Sequence, residues 1–513
     1  MKVEVFDSTL RDGAQGEGIQ FSVVDMLEIV KALDNLGVDY IEAGNPASCQ
    51  KNRAFFDAAK GLPLRHSKLA VFGATDKNLC RLPESGAQCA CVVGKAWSLH
   101  ARKVLRVSPE ENLAMIESSA RSLKGAGMEV FFDAEHFFDA CKEDREYAMS
   151  ALDAAARGGA SRLVLCDTNG GTLPDEVFDI TSLVARRFPL VIGIHCHNDC
   201  GCAAANTVMA VKAGARHVQG TFTGFGERCG NAALSSVIPL LQLKLGHECI
   251  PPANLPLLTA TAHFIAETAN TPPDPLAPFV GVSAFAHKAG MHIDGMTKLA
   301  RAFEHIEPDT VGNERRFLVS EASGRGALLP ELRKYAPGIT KDSPIARDLT
   351  EALKKLEFEG YQFEAAQAGL ELFVRRRLGQ ARRYFELLHY RVINEQDDIS
   401  FAMVKLRVDG AEEITASEGC GPVHALDKAL RKALYIFYPC LKKVRLIDYK
   451  VRVLQSAAAT ASGVRVLIQS SDGADIWSTV GVSANIISAS CTALTDSIEY
   501  YLHKSNAEAR QWE

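Results

Sequence analysis

Eight times between Val3 and Thr221 the chain repeats one pattern: a short apolar run, a polar loop and an amphipathic helix. The apolar runs are Val3–Phe6, Val38–Glu42, Leu69–Gly73, Cys89–Val93, Val130–Asp133, Arg162–Cys166, Val191–His195 and His217–Thr221. Helix-like segments lie between them, among them Ser22–Leu36, Pro109–Ala126, Asp144–Gly158, Leu173–Arg187 and Ala203–Ala213. Ser22, with Asp25 three residues on, is suited to cap a helix start, and Gly37, Gly127 and Gly214 are suited to end helices. Strands alternating with helices require parallel pairing with helical crossovers. A closed (β/α)8 TIM barrel is the economical arrangement for eight such units, and an open doubly wound sheet is the alternative. In a barrel the reactive side chains stand at the carboxyl ends of the strands.

A chain of 513 residues is too long for a barrel alone. Prolines at 251, 252, 256, 272, 273, 275 and 278 break the alternation. The expected division is a barrel over 1–270, mostly helical linker subdomains over 271–385 and an α+β regulatory or dimerisation domain over 386–513. In the last of these, strands at Leu388–Asn394 and Phe401–Val408 precede a helix at Val423–Phe437. Strands at Leu446–Leu454, Val464–Ser470 and Trp477–Val480 then precede a helix at Ile486–Leu502, a weak internal repeat.

A net charge of −5 and a sequence pI of about 6.3 argue against nucleic acid as a partner. Arg375-Arg376-Arg377 with Arg382-Arg383 reads as the solvated face of a helical stretch. The 14 cysteines form no C-x-x-C pair and fall inside apolar segments, which points to free thiols in a reducing cytoplasm. No apolar stretch approaches the roughly 20 residues of a membrane span, so no membrane partner is expected.

The polar residues at the expected strand ends carry the chemistry. His195 and His197, two apart on an extended strand, point to one side. Alone, such a pair is as well read as structural histidines. The first strand, however, runs into Asp7-Ser8-Thr9-Leu10-Arg11-Asp12-Gly13, and the eighth into Gly224-Phe225-Gly226-Glu227-Arg228-Cys229-Gly230-Asn231. Strands one, seven and eight are neighbours in a closed barrel. Asp12, His195, His197 and Asn231 can therefore meet around one divalent metal ion, Mg, Mn, Co or Zn. Cys196 should point away from its histidine neighbours, against a zinc cluster with Cys200 and Cys202. Glu135, Asp167 to Gly170, Glu42 and Asn45 also follow strands, where each is also suited to cap the next helix. Schiff-base chemistry needs a buried lysine, and Lys95 is the one nearby.

These motifs resemble the signatures of the metal-dependent barrel condensing enzymes and lyases, which include isopropylmalate, homocitrate and citramalate synthases. Asp133-Ala134-Glu135-His136-Phe137-Phe138-Asp139, Leu165 to Thr172, Phe285-Ala286-His287-Lys288 and Val311 to Arg316 are most similar to the citramalate synthase branch. Gly360 to Ala366 and Trp477 to Ser483 extend the resemblance to the carboxyl-terminal regulatory domain.

The resemblance implies that acetyl-CoA is the co-substrate and that the metal chelates a 2-oxo acid. It assigns Arg11 to the developing alkoxide and Thr168 to the acceptor's carboxylate. His292, oriented by Asp294, or else Glu135, would be the base. It also implies a homodimer and feedback by isoleucine or leucine. Pyruvate is the favoured acceptor, in isoleucine biosynthesis; 2-oxoisovalerate, in leucine biosynthesis, is the alternative. His292-Ile293-Asp294-Gly295 is nearer the isopropylmalate version, relatives carry tyrosine where Phe303 stands, and Asn45-Pro46 is unusual beside the expected acceptor pocket. A catalytically silent amino-acid sensor would need a damaged metal set, and the set is intact. A retro-aldol lyase has no use for the carboxyl-terminal module.

Overall fold

The computed structural model describes residues 1–75, 79–318, 332–334, 336–340, 343–394, 399–454, 463–473 and 475–509. Eight parallel strands close into one barrel in sequential order. They are β1 (Glu4–Asp7), β2 (Tyr40–Glu42), β3 (Lys68–Ala74), β4 (Cys89–Lys95), β5 (Glu129–Glu135), β6 (Arg162–Asp167), β7 (Val191–Cys196) and β8 (His217–Gly220). β1 closes the ring on β8, with Glu4 opposite His217 and Asp7 opposite Gly220.

The alternation within each strand sorts the side chains into two layers. Val5, Ile41, Val71, Val92, Phe132, Leu165 and Ile194 join the core between the strands and the helical ring. Phe6, Tyr40, Ala70, Cys89, Cys91 and Phe131 form a second, smaller cluster. Truncating a fully buried Leu165 or Ile194 to alanine would cost about 2–5 kcal/mol.

Local chemistry sets the helix ends. Ser22 and Asp25 form a reciprocal capping box at the start of Val23–Leu36, and Ser108 and Glu111 form another before Pro109–Gly125. Gly37 ends the first of these helices in the left-handed conformation, φ 98°.

At the amino end of the barrel, charge replaces apolar filling. Arg162 makes a two-pronged contact with Glu4, 2.7 Å from each carboxylate oxygen, and also donates to the Tyr40 hydroxyl at 3.0 Å. His217 Nδ1 lies 3.2 Å from Glu4 Oε2. No disulfide forms among the described residues, and Cys196 packs outward in the core between strands and helices.

One compact unit comprises Met1–Phe285 with Ile306–Arg315, and the other comprises Ala286–His305 with Arg316–Glu513. The second unit contains a parallel pair, β9 (Ala286–His287) and β10 (Arg316–Phe317), and helices at Gly290–Lys298, Pro344–Phe358 and Gln367–Arg377. It also holds two antiparallel sheets: β11 (Glu386–Asn394), β12 (Ser400–Val408) and β13 (Ala411–Gly419), then β14 (Arg445–Val453), β15 (Val464–Ser471) and β16 (Ile476–Ser483). Pro422–Phe437 packs on the first sheet and Ile486–Lys504 on the second, so the internal repeat is three strands and a helix.

β13 is absent from the sequence reading, although Asp409-Gly410, at φ 46° and 90°, is a hairpin turn visible in the sequence. The arginine run is exposed at Arg376, Arg377, Arg382 and Arg383, as expected of a solvated face, with two differences in detail. Arg376 is held by Asp496 at 2.7 Å and Glu499 at 2.5 Å, while Arg382 and Arg383 follow the helix instead of lying on its solvated face.

Candidate metal centre at the barrel mouth

Asp12, His195 and His197 are all buried and offer ligand atoms within 4.8 Å of one another. Asp12 Oδ2 lies 3.2 Å from His195 Nε2 and 3.8 Å from His197 Nε2. Each comes from a strand end. Asp12 opens a short 3-10 turn after β1, where the Ser8 carbonyl accepts the N–H groups of Arg11, Asp12 and Gly13. His195 lies on β7. His197 is fixed just beyond it by a bridge to Asn231 and by its N–H donated to the Asp167 carbonyl.

Asn231 is bridged through its backbone to His197, and its loop is glycine-built. A Cβ on Gly230 would lie 2.0 Å from the Gly224 carbonyl oxygen, and one on Gly226 would lie 2.2 Å from Asn231 Nδ2. Asn231 Nδ2 donates to the Phe225 carbonyl at 3.1 Å, while its Oδ1 is buried with no hydrogen-bond partner among the described residues. A buried amide oxygen without a partner is costly. A carboxylate and two imidazoles with converging ligand atoms, next to a residue bringing such an amide oxygen, fit a divalent cation, so the residues present suit a metal.

Electrostatics agree with that fit. Burial pushes the Asp12 carboxyl up, but the Arg11 charge and the His195 hydrogen bond outweigh it, holding Asp12 well below the usual carboxylate range. Burial, then the charge of His195, lowers His197 to about 4, so its imidazole is neutral at ordinary pH. Burial also works against a charged His195, but its hydrogen bond to Asp12 prevails and raises it.

A cavity of about 230 Å³ opens over this cluster, lined by Arg11, Asp12, His195 and His197 with Phe72, Val93, Asp133, Glu135 and Thr168. The Arg11 guanidinium carbon stands 4.3 Å over the Phe72 ring, and its Nε donates to Glu42 Oε2 at 2.7 Å. Ser8 donates to the same oxygen at 2.5 Å, so Glu42 aims Arg11 from behind. Thr168 Oγ1 accepts the His136 backbone N–H at 2.9 Å, which leaves its own proton to donate. Glu135 is ion-paired with Lys95.

Asn45 is not brought into this pocket. Its Oδ1 accepts the N–H groups of Ala47 and Ser48 at 2.8 and 3.2 Å, making a turn. His292 lies on Gly290–Lys298 in the second compact unit, and the side chain of Asp294 lies outside the described residues. The His292 ring is 5.4 Å from that of Phe303. The sequence reading missed Gln219, Phe72 and Val93. Gln219 sits two residues after His217 on β8, and that two-residue alternation was the available signal.

The chain belongs to the HMGL-like family, which matches residues 2–270 and whose enzymes are metal-dependent. Residues 279–360 match the homocitrate synthase post-HMGL domain-like family, and 364–502 match the LeuA allosteric (dimerisation) domain. Among curated relatives, the (R)-citramalate synthase of Aquifex aeolicus is 48% identical, with 99% of each chain covered. That of Geobacter sulfurreducens is 46% identical, with 98% of each covered. A probable 2-isopropylmalate synthase of Methanopyrus kandleri is more distant, at 29% identity over 96% of this chain and 97% of its own.

Proposed function

We propose that this chain is an (R)-citramalate synthase, joining acetyl-CoA to pyruvate and hydrolysing the thioester to release citramalate and coenzyme A. The observation that carries the proposal is the buried cluster of Asp12, His195 and His197 under a pocket that also holds Arg11. The near full-length identity to curated citramalate synthases supports the choice of reaction.

Asp12, His195, His197 and Asn231 would hold the divalent cation, which supplies Lewis-acid polarisation of the acceptor's carbonyl when bound. Arg11, kept in place by Glu42 and Phe72, donates to the oxygen on which negative charge develops. Thr168 donates its hydroxyl proton to the acceptor's carboxylate. Glu135, which lines the pocket, takes a methyl proton from acetyl-CoA, and the resulting carbanion attacks the ketone carbon. His292, oriented by Asp294, is the second candidate for that proton. Water then cleaves the thioester.

Phe72 and Val93 wall the pocket. Pyruvate and 2-oxoisovalerate differ by two carbons, each worth about 1–3 kcal/mol in an apolar pocket, so the space these walls leave sets the choice of acceptor. The remaining assignments are a barrel domain over 1–270, linker subdomains over 271–385, a regulatory domain over 386–513 that pairs two chains and senses isoleucine, and a place in the cytoplasm.

The test follows free thiol released from acetyl-CoA across a panel of 2-oxo acids, with the product identified by NMR. Citramalate from pyruvate at the highest kcat/KM is expected. Preference for 2-oxoisovalerate would make the chain an isopropylmalate synthase, and no thiol release with any acceptor would refute the reaction.

A further inference from the structure

We infer that Lys95 is a positioning residue for Glu135. Lys95 ends β4 and Glu135 ends β5, and the two are register partners in the parallel pair. Side chains two apart on a strand share a face. Val93 and Asp133 line the pocket over the metal cluster, so Lys95 and Glu135 continue the same inward rows one layer nearer the mouth.

The ion pair is not a solvated surface contact. Each side chain is 22% exposed, and Glu135 lines the pocket. Lys95 is itself fixed from behind: the fully buried Asn112 donates from Nδ2 to the Lys95 carbonyl at 2.8 Å and to the Tyr147 hydroxyl at 2.7 Å. The bond to its carbonyl fixes the main chain of Lys95 at the strand end, and the ammonium itself is held by Glu135.

Around Glu135 the neighbouring groups do not supply a second firm anchor. Asp133 projects from the same strand face, and Cys166 lines the same pocket from β6. Lys95 takes Glu135 Oε2, and no hydrogen bond is made to Oε1 among the described residues. The carboxylate thus has one oxygen held and one available. In the proposed condensation the methyl C–H bond breaks, its proton passes to Oε1, and the electron pair becomes the new C–C bond to the acceptor. Holding Oε2 aims Oε1 at that proton. With its amine committed to Glu135, Lys95 serves the carboxylate and not Schiff-base chemistry. The inference rests on the condensation reading and on Glu135 as the proton acceptor.

The test is a double-mutant cycle in the full-length, metal-loaded protein. Lys95→Met should lower kcat by about 10–100-fold, with KM for pyruvate changed by less than about threefold, because aim is lost and acceptor binding is not. Lys95→Arg should recover kcat to within about fivefold of wild type, because a guanidinium can still hold the carboxylate. Adding Lys95→Met to Glu135→Gln should cost less than about twofold more, because the lysine acts only through the glutamate.

Losses that multiply across the cycle, an arginine variant no better than methionine, or a methionine variant with full kcat would each overturn the inference. Thermal midpoints confirm that the compared variants are folded, and Lys95→Gln replaces Lys95→Met if the latter is not. Failure of the parent reading looks different. Wild-type protein would then release no thiol with any acceptor, or Glu135→Gln would keep full turnover while wild type remains a synthase.

Discussion

His195 Nδ1 lies 3.1 Å from Gln219 Oε1, and Gln219 Nε2 donates to Asp133 Oδ1 at 3.1 Å. The amide oxygen can only accept, so His195 donates from Nδ1, and once the Nε2 proton has left, the Nε2 lone pair would face a cation in the cluster. Partners of this kind tune metal affinity. Gln219→Leu should weaken Mn(II) binding by about 10–100-fold while leaving the barrel folded. Isothermal titration would show it, and unchanged affinity would mean that Gln219 does not orient the ligand.

Arg11 is aimed by Glu42 and stacked on Phe72. Lysine has a point charge and no planar fork, so Arg11→Lys keeps the charge and loses both contacts. Its kcat with pyruvate should fall by about 100-fold or more, the usual cost of a lost oxyanion donor. Steady-state assays that found kcat within a few-fold of wild type would remove Arg11 from the reaction.

The amino-end network makes stability depend on pH. Burial pushes the Glu4 carboxyl up, but hydrogen bonds from Arg162 and His217 outweigh it and bring it down to about 2. A carboxyl lowered by folding stabilises the protein above its unfolded value near 4.5, and that contribution disappears as pH falls towards 2. Partly screened, it is worth about 2 kcal/mol. Glu4→Gln should therefore unfold more readily in urea at pH 7, and the gap from wild type should narrow from about pH 4.5 and close near pH 2. A gap that did not change with pH would place the effect in packing.

Residues 364–502 match the LeuA allosteric (dimerisation) domain. On the proposed reading, isoleucine or leucine should inhibit the full-length chain, and ending it before β11, at Phe385, should abolish that inhibition while thiol release by the remaining protein persists. Inhibition that survives the truncation would move the effector site elsewhere.

The barrel was legible because its period is written twice, in strand–helix alternation and in the inward and outward residues of each strand. The convergence of Asp12, His195 and His197 was legible because adjacent strand ends supply complementary ligand types. What the sequence did not reveal depends on partners far apart in the chain. Asn45 follows β2 just as Glu42 ends it, yet its oxygen is consumed by its own turn. In the sequence Lys95 reads as a candidate nucleophile, because its partner on β5 is set only by register. β13 was missed because Ala411-Glu412-Glu413 is polar and poor in β-branched residues, so only its hairpin turn and pairing with β12 define it.

The central claim is that a cation held by Asp12, His195, His197 and Asn231 activates the ketone. It is tested most directly by stripping the protein with a chelator, then assaying thiol release from acetyl-CoA and pyruvate before and after adding back one equivalent of Mn(II). Turnover should vanish on stripping and return with the metal in the wild type, and should not return in Asp12→Asn. Full turnover by the stripped wild-type protein would contradict the account.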